Sequence, residues 1–556
     1  MTRTKLEEVF EHLSQHSADS VQNGVKFSEW DEYMHVDRPI EDTLIGKMDE
    51  IDKIGGGIIL LVGSAGDGKS HLISRIKQMS DWGESCFYND ATASCSPQKT
   101  AVDTLKEALV PFNDKNLSLT TRKMVLAINL GKLNAFIEDN EVKTNYTEIV
   151  RSTLPIFDDN SSTAGSEAER VKVIVFSDEQ IFEFHPDWNK DYPVDAPFLS
   201  SILDKIVKKS NSNMFYKAYK EDKANPALQK DPLLLNYELL LIPEVRHTIC
   251  MTIIEAIVKC KLNITPREFL DFIYSIMVYP AYDAYDEKKN FYEALLPTLL
   301  YCGTSNTIQK AITILDPLKH SSTEHDKQLS VLFTSYSIPK DYLNLEISGA
   351  IPEELINRTN QFYDNNGHDI ERTTKFLFRL RHLLSYHSED MTYIEFLSLL
   401  RGVFNDDINW KKKIFSMVSR NIPRHYGSYY SKTDMIPLNI QGGRYRMFAH
   451  LKLKPKEIKK NFDKKHPSKF LLRFDLEWDI HGKTETLRVD YQLFSYLHAL
   501  NDGRLALTYE NEKDLAFSRF VRSLAEQCDC SEEITIVQSD SKEMKLVDTG
   551  LDIELS

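Results

Sequence analysis

The chain has 556 residues, of which 42% are hydrophobic and 27% are charged, and its net charge is −15. This length suits two to four domains of an ordinary soluble protein. A membrane-spanning protein is excluded, because no apolar run approaches the roughly 18 residues of a span. The first residues show no apolar segment of the kind found in a secretory signal. The seven cysteines suggest no disulfide framework, and no CxxC pair or histidine cluster completes a zinc site, so we expect a cytoplasmic protein with free thiols.

The first part of the chain predicts an α/β domain. Residues 1–30 are predicted to form an N-terminal helix and arm, and a helix ending near Lys53 follows. Four short apolar strands are then predicted at 58–62, 85–89, 124–128 and 171–176, with helical stretches between several of them. This alternation predicts a parallel sheet of the P-loop NTPase class, AAA+-like and with the additional strand, over residues 31–196.

The remainder predicts two further domains. Residues 197–404 are expected to be mainly helical, forming a lid and its extension, with helices at 239–261, 267–278 and 371–386. Residues 405–556 are expected to form a basic α+β domain. It has strands at 469–479, 485–490 and 533–537 and a helix at 514–527.

One segment carries a specific motif. Gly63 to Ser70 reads GSAGDGKS, which fits the phosphate-binding pattern GxxxxGK[ST]. An apolar strand precedes it and a helix with apolar residues at helical spacing follows it, and this context favours a real P-loop over a chance match. The segment therefore predicts that the chain binds ATP with Mg²⁺.

The residue types explain how the phosphates would be held. Glycines allow a tight turn whose N–H groups point inward, and the positive end of the following helix adds to the field. Lys69 is expected to reach the β- and γ-phosphates, and the Ser70 hydroxyl to hold Mg²⁺. The predicted nucleotide-binding residues are Gly63, Ser64, Ala65, Gly66, Asp67, Gly68, Lys69, Ser70 and His71.

The acid that completes a Mg²⁺ and water site has two candidates. Asp90 follows one predicted strand, while Asp178 with Glu179 follows another and has the more typical apolar run before it. Asn129 ends a third strand and is similar to the sensor asparagine of AAA+ ATPases. Ordinary strand-to-loop turns are the alternative for each, since Asn and Asp are common there. The sequence leaves the choice between Asp90 and Asp178/Glu179 open.

Three arginines of the predicted helical domain are candidates for a sensor or finger that stabilises the transferring phosphoryl group. They are Arg267, which opens one predicted helix, and Arg379 and Arg381, which lie within another. Solvated helix faces or structural ion pairs are the alternative.

The charge of the chain is unevenly distributed. Between Lys411 and Arg473, a stretch we call the basic segment, there are 17 Lys and Arg residues and three acidic ones, interleaved with aromatic residues. Such density favours contact with DNA phosphates and stacking on bases; docking on an acidic protein is the alternative. The predicted DNA-contacting residues are Lys452, Lys454, Lys456, Lys459, Lys460, Lys464 and Lys465.

Two motifs bear on whether the chain cuts nucleic acid. Arg420 to His425 fits the loose RNase pattern RxxxxH, which normally lies within a helix, and Pro423 is expected to break a helix there. Glu543-Met544-Lys545 is similar to the ExK of restriction-type nucleases, but Asp540 is too close to serve as its upstream acid. We expect no nuclease activity in this chain.

Several segments together resemble the DptF family, the ATPase-like component of the DNA phosphorothioation-dependent restriction system. The segments are Gly63–Leu72, Asn89–Thr92, Ala127–Gly131, Phe176–Asp178, Thr265–Asp271 and Leu315–Pro317, followed by Asp326. The resemblance implies a bacterial defence role against DNA that lacks phosphorothioate marks, together with DptG-like and DptH-like partners. It carries the P-loop residues over directly, but not the acid of the second half of the site.

Two functions follow from these expectations. The first is a DNA-stimulated ATPase in a restriction complex; the second is a nucleotide-bound scaffold or switch with little turnover. Whether the chain forms a homo-oligomer is left open.

Overall fold

The computed structural model describes most of the chain. The described residues are 4–14, 28–89, 100–157, 169–281, 284–320, 322–334, 342, 350–364, 370–426, 435–438, 445–463, 466–504, 515–528, 533–538, 543–548 and 553–555. They fall into two units, Met1–Glu183 with Asp195–His387, and Phe184–Val194 with Ser388–Ser556. The four-part division predicted from the sequence stays a prediction.

The first unit contains a parallel sheet of four strands in the order β2-β3-β1-β4. Strand β1 pairs with β3 on one side and with β4 on the other, in register over its whole apolar run. All seven residues of β1 are buried, as expected for a central parallel strand covered on both faces. The strands are β1 Gly57–Gly63, β2 Phe87–Tyr88, β3 Lys123–Asn129 and β4 Val171–Val175.

Side chains alternate across this sheet to form two apolar cores. Ile58, Leu60 and Val62 of β1 pack on one face, together with the helices between β2 and β4. Ile59 and Leu61 pack on the other face, together with the helices that flank β1. The period of two along each strand therefore gives one sheet covered by helices on both faces, which is an α/β domain.

The other parts of the first unit are helical. Isoleucine and valine are prominent among the buried side chains of its longest helix, Pro243–Cys260. The helices of this unit are, in chain order, α1 Lys5–Glu11, α2 Glu29–Met34, α3 Pro39–Ile54, α4 Lys69–Met79, α5 Ala101–Leu109, α6 Leu130–Glu138, α7 Asn140–Asn145, α8 Thr147–Thr153, α9 Pro197–Val207, α10 Met214–Lys223, α11 Pro232–Leu240, α12 Pro243–Cys260, α13 Pro266–Met277, α14 Glu287–Asn290, α15 Leu296–Cys302, α16 Thr307–Ile312, α17 Thr323–Thr334, α18 Glu353–Asp364 and α19 Ile370–Leu384.

The second unit combines antiparallel sheets with helices. One sheet has the order β11-β10-β9 and another the order β14-β13-β12-β8-β7. Trp478 of β10 is fully buried between rings of Phe415 and Phe520. The elements are β5 Glu183–Phe184, β6 Val194–Asp195, α20 Met391–Phe404, α21 Ile408–His425, β7 Met435–Pro437, β8 Tyr445–His450, β9 Lys454–Asp463, β10 His466–Ile480, β11 Lys483–Asp490, α22 Tyr491–Asn501, α23 Leu515–Glu526, β12 Glu533–Gln538, β13 Glu543–Asp548 and β14 Ile553–Leu555.

Most predicted elements are confirmed, and one expectation about a helix is wrong. Three of the four predicted strands of the α/β domain are present over nearly their whole length, and the one predicted at 85–89 is reduced to Phe87–Tyr88 because Glu84–Cys86 form a 3-10 turn. The predicted helices and strands of the later regions are present. Pro423, however, lies inside α21 and does not break it. It falls in the last turn, so the helix loses only one N–H donor close to its end, and Ile422 and Pro423 are both buried.

Candidate nucleotide site

The motif segment Gly63 to Ser70, which we call the glycine-rich loop, joins the end of β1 to the start of α4. Gly66 and Gly68 both have the left-handed φ that glycine tolerates best, +89° and +92°. Helix α4 begins at Lys69, and no side chain caps its N-terminus. The first N–H groups of an eleven-residue helix therefore face the loop, the arrangement that stabilises a bound anion.

Gly66 also lies against the N-terminus of another helix. A Cβ at this position would lie 3.0 Å from Thr265 Oγ1 and 3.5 Å from Arg267 Cβ. Thr265 forms a capping box with Glu268 at the start of α13, which fixes this helix end. The start of α13 is thus brought beside the glycine-rich loop, although about 200 residues separate them in the chain.

The cation of the loop is bound by the loop itself. Lys69 Nζ donates a hydrogen bond to the carbonyl oxygen of Ser64, and the Asp67 carboxylate accepts one from the Ser64 N–H. Burial lowers the pKa of Lys69 and raises the pKa of Asp67. Lys69 is 9% exposed, so it is a desolvated cation beside the glycine-rich loop.

Arg38 is a site residue that the sequence analysis missed. Its guanidinium donates to the carbonyl oxygen of Asp67 at 2.9 Å and lies 5.5 Å from the ring centre of Phe176 and 5.4 Å from that of Phe198. Burial lowers the pKa of Arg38, and the charge of Glu179 opposes this shift. The only available sequence signal was its place before Pro39 at a helix start.

Asn129 lies next to the first residue of the loop. It is the register partner of Gly63 at the carboxyl end of β3. It occupies the N-cap position of α6, yet its side chain makes no capping hydrogen bond. The prediction that Asn129 belongs to the site agrees with this position, while its role stays a prediction.

The strands that precede the candidate acids lie on opposite sides of β1. Asp178 and Glu179 follow β4, and Glu179 is buried near Arg38. Asp90 lies outside the described residues; Asn89, which precedes it, follows β2, and β3 separates β2 from β1. The ends of β2 and β4 therefore differ in their position relative to β1 and its loop.

The three candidate arginines have different surroundings. Arg267 is exposed at the start of α13, beside Gly66. Arg379 is partly buried and binds the carboxylate of the buried Asp316 with two hydrogen bonds, of 3.1 and 2.7 Å. Arg381 lies over the ring of Tyr342. Among these three, the structure brings only Arg267 to the glycine-rich loop.

A group of titratable side chains precedes the loop in the chain. His35 Nε2 lies 3.1 Å from Asp37 Oδ1 and 3.4 Å from Glu41 Oε1, and His35 Nδ1 lies 3.0 Å from His71 Nε2. His71 is the last of the predicted nucleotide-binding residues, and burial lowers its pKa. The sequence analysis found no such cluster, although His, Asp and Glu fall within seven residues of each other.

The predicted DNA-contacting lysines lie in the second unit. Lys452 and Lys454 are exposed. Lys456 and Lys459 pair with the buried Glu477, and Lys460 donates to the Phe404 carbonyl at 2.8 Å and pairs with Asp406. Hydrogen bonds from Lys411 and Lys460 lower the pKa of Asp406 to about 2. Lys464 and Lys465 lie outside the described residues.

Side chains of both nuclease-like motifs make hydrogen bonds or ion pairs with other residues of the chain. His425 is buried, with Nδ1 at 2.5 Å from Tyr496 Oη and Nε2 at 2.9 Å from Ser518 Oγ, and burial lowers its pKa to about 4. Arg420 contacts Ser416. Lys545 pairs with Glu533 on the neighbouring strand, and Asp540 lies outside the described residues.

Comparison with protein-family models, with curated proteins and with solved structures gave no match. Within the described ranges, no helix combines the length and the apolar character needed to cross a bilayer.

Proposed function

We propose that this chain binds and hydrolyses ATP at the glycine-rich loop. The observation that carries the proposal is the desolvated Lys69 beside an uncapped helix N-terminus, at the carboxyl end of a buried parallel strand. This is the position at which open α/β sheets bind their ligands, and its electrostatics favour phosphates. Measuring steady-state ATP hydrolysis, with and without DNA, tests the proposal.

The strand order supports assignment to the additional-strand class of P-loop ATPases. That class has one strand between the strand of the P-loop and the strand whose acid acts on Mg²⁺. Here β3 lies between β1 and β2, and Asp90 follows β2 by two residues. We therefore favour Asp90 as the acid and Asn129, which ends β3, as the polar residue that faces the γ-phosphate.

Asp178 and Glu179 have a different part in this proposal. They follow β4, on the other side of β1, and the charge of Glu179 acts on Arg38. Arg38 in turn binds the Asp67 carbonyl of the loop. Glu179 thus supplies negative charge near Arg38, and Arg38 contacts the glycine-rich loop through the Asp67 carbonyl.

The Mg²⁺ ion would be held by Ser70 and, through its water shell, by Asp90. When bound, the ion neutralises charge on the β- and γ-phosphates. Within the chain, Lys69 would exchange the Ser64 carbonyl for phosphate oxygens, and the N–H groups of the loop would orient them. Ser70 is partly buried in the first turn of α4, which fits this role.

We expect Arg267→Ala to lower ATP turnover at least about tenfold, equivalent to ~1.4 kcal/mol in the barrier. The reason is its exposed position beside Gly66, from which the guanidinium can reach a γ-phosphate. Turnover is measured at saturating ATP, and thermal unfolding is measured in parallel.

Arg379→Ala is the matched comparison for this prediction. It leaves Asp316 buried without its bidentate partner, so we expect a loss of about 3–5 kcal/mol in unfolding free energy. Unchanged turnover in Arg267→Ala would show that Arg267 does not take part in ATP hydrolysis. If the Arg379→Ala protein is as stable as the wild type, the ion pair of Arg379 with Asp316 does not stabilise the fold.

The defence role is a further part of the proposal and depends on the resemblance to the DptF family. We propose a cytoplasmic subunit of a restriction complex that acts on DNA without phosphorothioate marks, with DptG-like and DptH-like partners. The basic segment would contact DNA through its exposed lysines, which include Lys452 and Lys454 as well as Lys456 and Lys459, the two that pair with Glu477. Lysines contact phosphates without reading sequence, so this binding would serve unrelated sequences equally.

We expect the double reversal Lys452→Glu and Lys454→Glu to weaken DNA binding about equally for unrelated sequences. The slope of log K against log salt should fall by roughly one unit for each phosphate contact that is lost. Binding is measured by titration at several salt concentrations, with the partners absent and present.

Two comparisons make the DNA experiment decisive. The matched control reverses Lys208 and Lys209, which are exposed in the first unit, and it should leave DNA binding unchanged. Lys460 is not used, because it binds the end of α20 and its loss would disturb the fold. If the wild-type chain binds no DNA in either setting, the basic segment docks a protein instead.

The second candidate function is a nucleotide-bound scaffold with little turnover. The observation that favours it is the closed network of the loop, in which the Ser64 N–H donates to the Asp67 carboxylate and Lys69 donates to the Ser64 carbonyl. ATP binding without measurable hydrolysis, in the presence of DNA and partners, would select this function.

A further inference from the structure

The side chains of His35, Asp37 and Glu41, which we call the His35 cluster, form a compact set of metal-ligating atoms. One ligand atom from each residue lies within 4.8 Å of the others. The distances from His35 Nε2 to Asp37 Oδ1 and Glu41 Oε1 are 3.1 and 3.4 Å. Neighbouring atoms bonded to one divalent ion at about 2.0–2.2 Å lie roughly 2.8–3.1 Å apart in octahedral geometry and roughly 3.3–3.6 Å apart in tetrahedral geometry. The observed spacing matches that of a metal site.

Local structure fixes the three residues. His35 is the C-cap of α2, and its N–H donates to the Asp31 carbonyl. Glu41 lies in the first turn of α3, which begins at Pro39. The short link between these helices holds the imidazole and the two carboxylates on one side of the chain, without a long flexible loop.

The surroundings of His35 orient its ring for ligation. Its Nδ1 lies 3.0 Å from His71 Nε2, and the two rings are stacked with an angle of 22° between them. A ligating histidine commonly donates its second ring N–H to an acceptor, which fixes the tautomer with a lone pair on the ligating nitrogen. His71 Nε2 occupies the position of that acceptor, and it leaves His35 Nε2 directed at Asp37 and Glu41.

The exposure of the ligands differs in a way that suits an open site. The side chains of His35 and Glu41 are 7% and 14% exposed, whereas that of Asp37 is 92% exposed. An ion would enter from solvent beside Asp37 and complete its coordination with water. The imidazole favours Zn²⁺ and the two carboxylates also suit Mn²⁺, whereas Mg²⁺ and Ca²⁺ prefer oxygen ligands alone.

We propose that His35, Asp37 and Glu41 bind one divalent transition-metal ion, with His71 as the residue that positions His35. This site is separate from the Mg²⁺ proposed at Ser70 and does not depend on nucleotide binding. It adjoins the glycine-rich loop through Arg38, which stands between two ligands in the chain and binds the Asp67 carbonyl.

The test is metal binding by the full chain after chelator treatment and desalting, without nucleotide. Zn²⁺ binding is measured by calorimetry and Mn²⁺ binding by electron paramagnetic resonance, and one tight site is expected. Asp37→Asn, the change least able to disturb folding, should weaken binding at least about tenfold, and Glu41→Gln should do the same. His71→Ala should weaken it by about 10- to 100-fold, as expected for a residue that orients a ligand.

The matched control is Asp42→Asn, which alters an exposed acid next to Glu41 in the same helical turn. It should bind metal as the wild type does. Circular dichroism must show that every variant is folded; if His71→Ala is not, Asp37→Asn decides alone. If the wild type binds neither Zn²⁺ nor Mn²⁺ at micromolar concentrations, the proposal is wrong. The same holds if Asp37→Asn and Asp42→Asn bind equally, and the cluster is then an ion-pair network.

Discussion

Lys69→Ala is expected to weaken ATP binding by about 100-fold or more. The Lys69 ammonium is the desolvated cation of the glycine-rich loop, where it donates to the Ser64 carbonyl, feels the charge of Asp67 and lies 5.9 Å from the ring centre of Phe176. Truncating one partner of a buried, hydrogen-bonded charge pair costs about 2–5 kcal/mol. A loss of about 2.7 kcal/mol in binding free energy corresponds to a hundredfold weaker affinity. Binding is measured by titration with a labelled ATP analogue in the presence of Mg²⁺.

A lysine elsewhere in the same helix provides the control. Lys77 lies in the last turn of α4, away from the loop, and Lys77→Ala should keep wild-type affinity. Since Lys69 is buried, thermal unfolding of both variants must be compared with the wild type. Equal affinity of a folded Lys69→Ala protein and the wild type would show that the loop binds no nucleotide.

Asp90→Asn is expected to lower ATP turnover by about a hundredfold or more while ATP stays bound. The amide keeps the shape of the side chain but removes the charge that would act on the Mg²⁺ water shell and the attacking water. The double change Asp178→Asn and Glu179→Gln should have a smaller effect on turnover, since these residues follow β4 on the far side of β1. Turnover at saturating ATP and ATP affinity are measured separately, because only a loss confined to turnover identifies a residue that acts in the reaction.

The strand order provides a clear way for this second expectation to fail. If the double substitution at positions 178 and 179 abolishes turnover and Asp90→Asn does not, the acid follows β4 and the additional-strand assignment is wrong. If neither change alters a measurable wild-type rate, the acid lies elsewhere. Asp81→Asn, an exposed acid before β2, is the control for a change of charge in this region.

Local patterns were sufficient to predict the strands and the loop. Apolar runs of five to seven residues between polar or glycine-containing turns indicated β1, β3 and β4, because buried parallel strands need apolar side chains on both faces. The glycine-rich loop was visible because tight turns with left-handed φ favour glycine, and its spacing to Lys69 and Ser70 is fixed by the chain.

Long-range contacts were beyond the reach of pattern analysis. Arg267, Arg379 and Arg381 were equivalent in sequence, yet one lies beside Gly66, one is locked to Asp316 and one covers Tyr342. Arg38 was not recognised at all. A periodic pattern reports which face of an element is apolar, but it does not report which distant element packs against that face.

The sequence by itself thus determined the α/β alternation, the glycine-rich loop and the local charge of the basic segment, since each depends on residues close together in the chain. The tertiary structure decided which strands are neighbours, which arginine lies by the loop and which lysines stay exposed. It also brought His71 to the His35 cluster, across 36 residues. Strand order and side-chain partners follow from the packing of elements far apart in sequence, where burial and charge pairing select one arrangement among many that the local pattern allows.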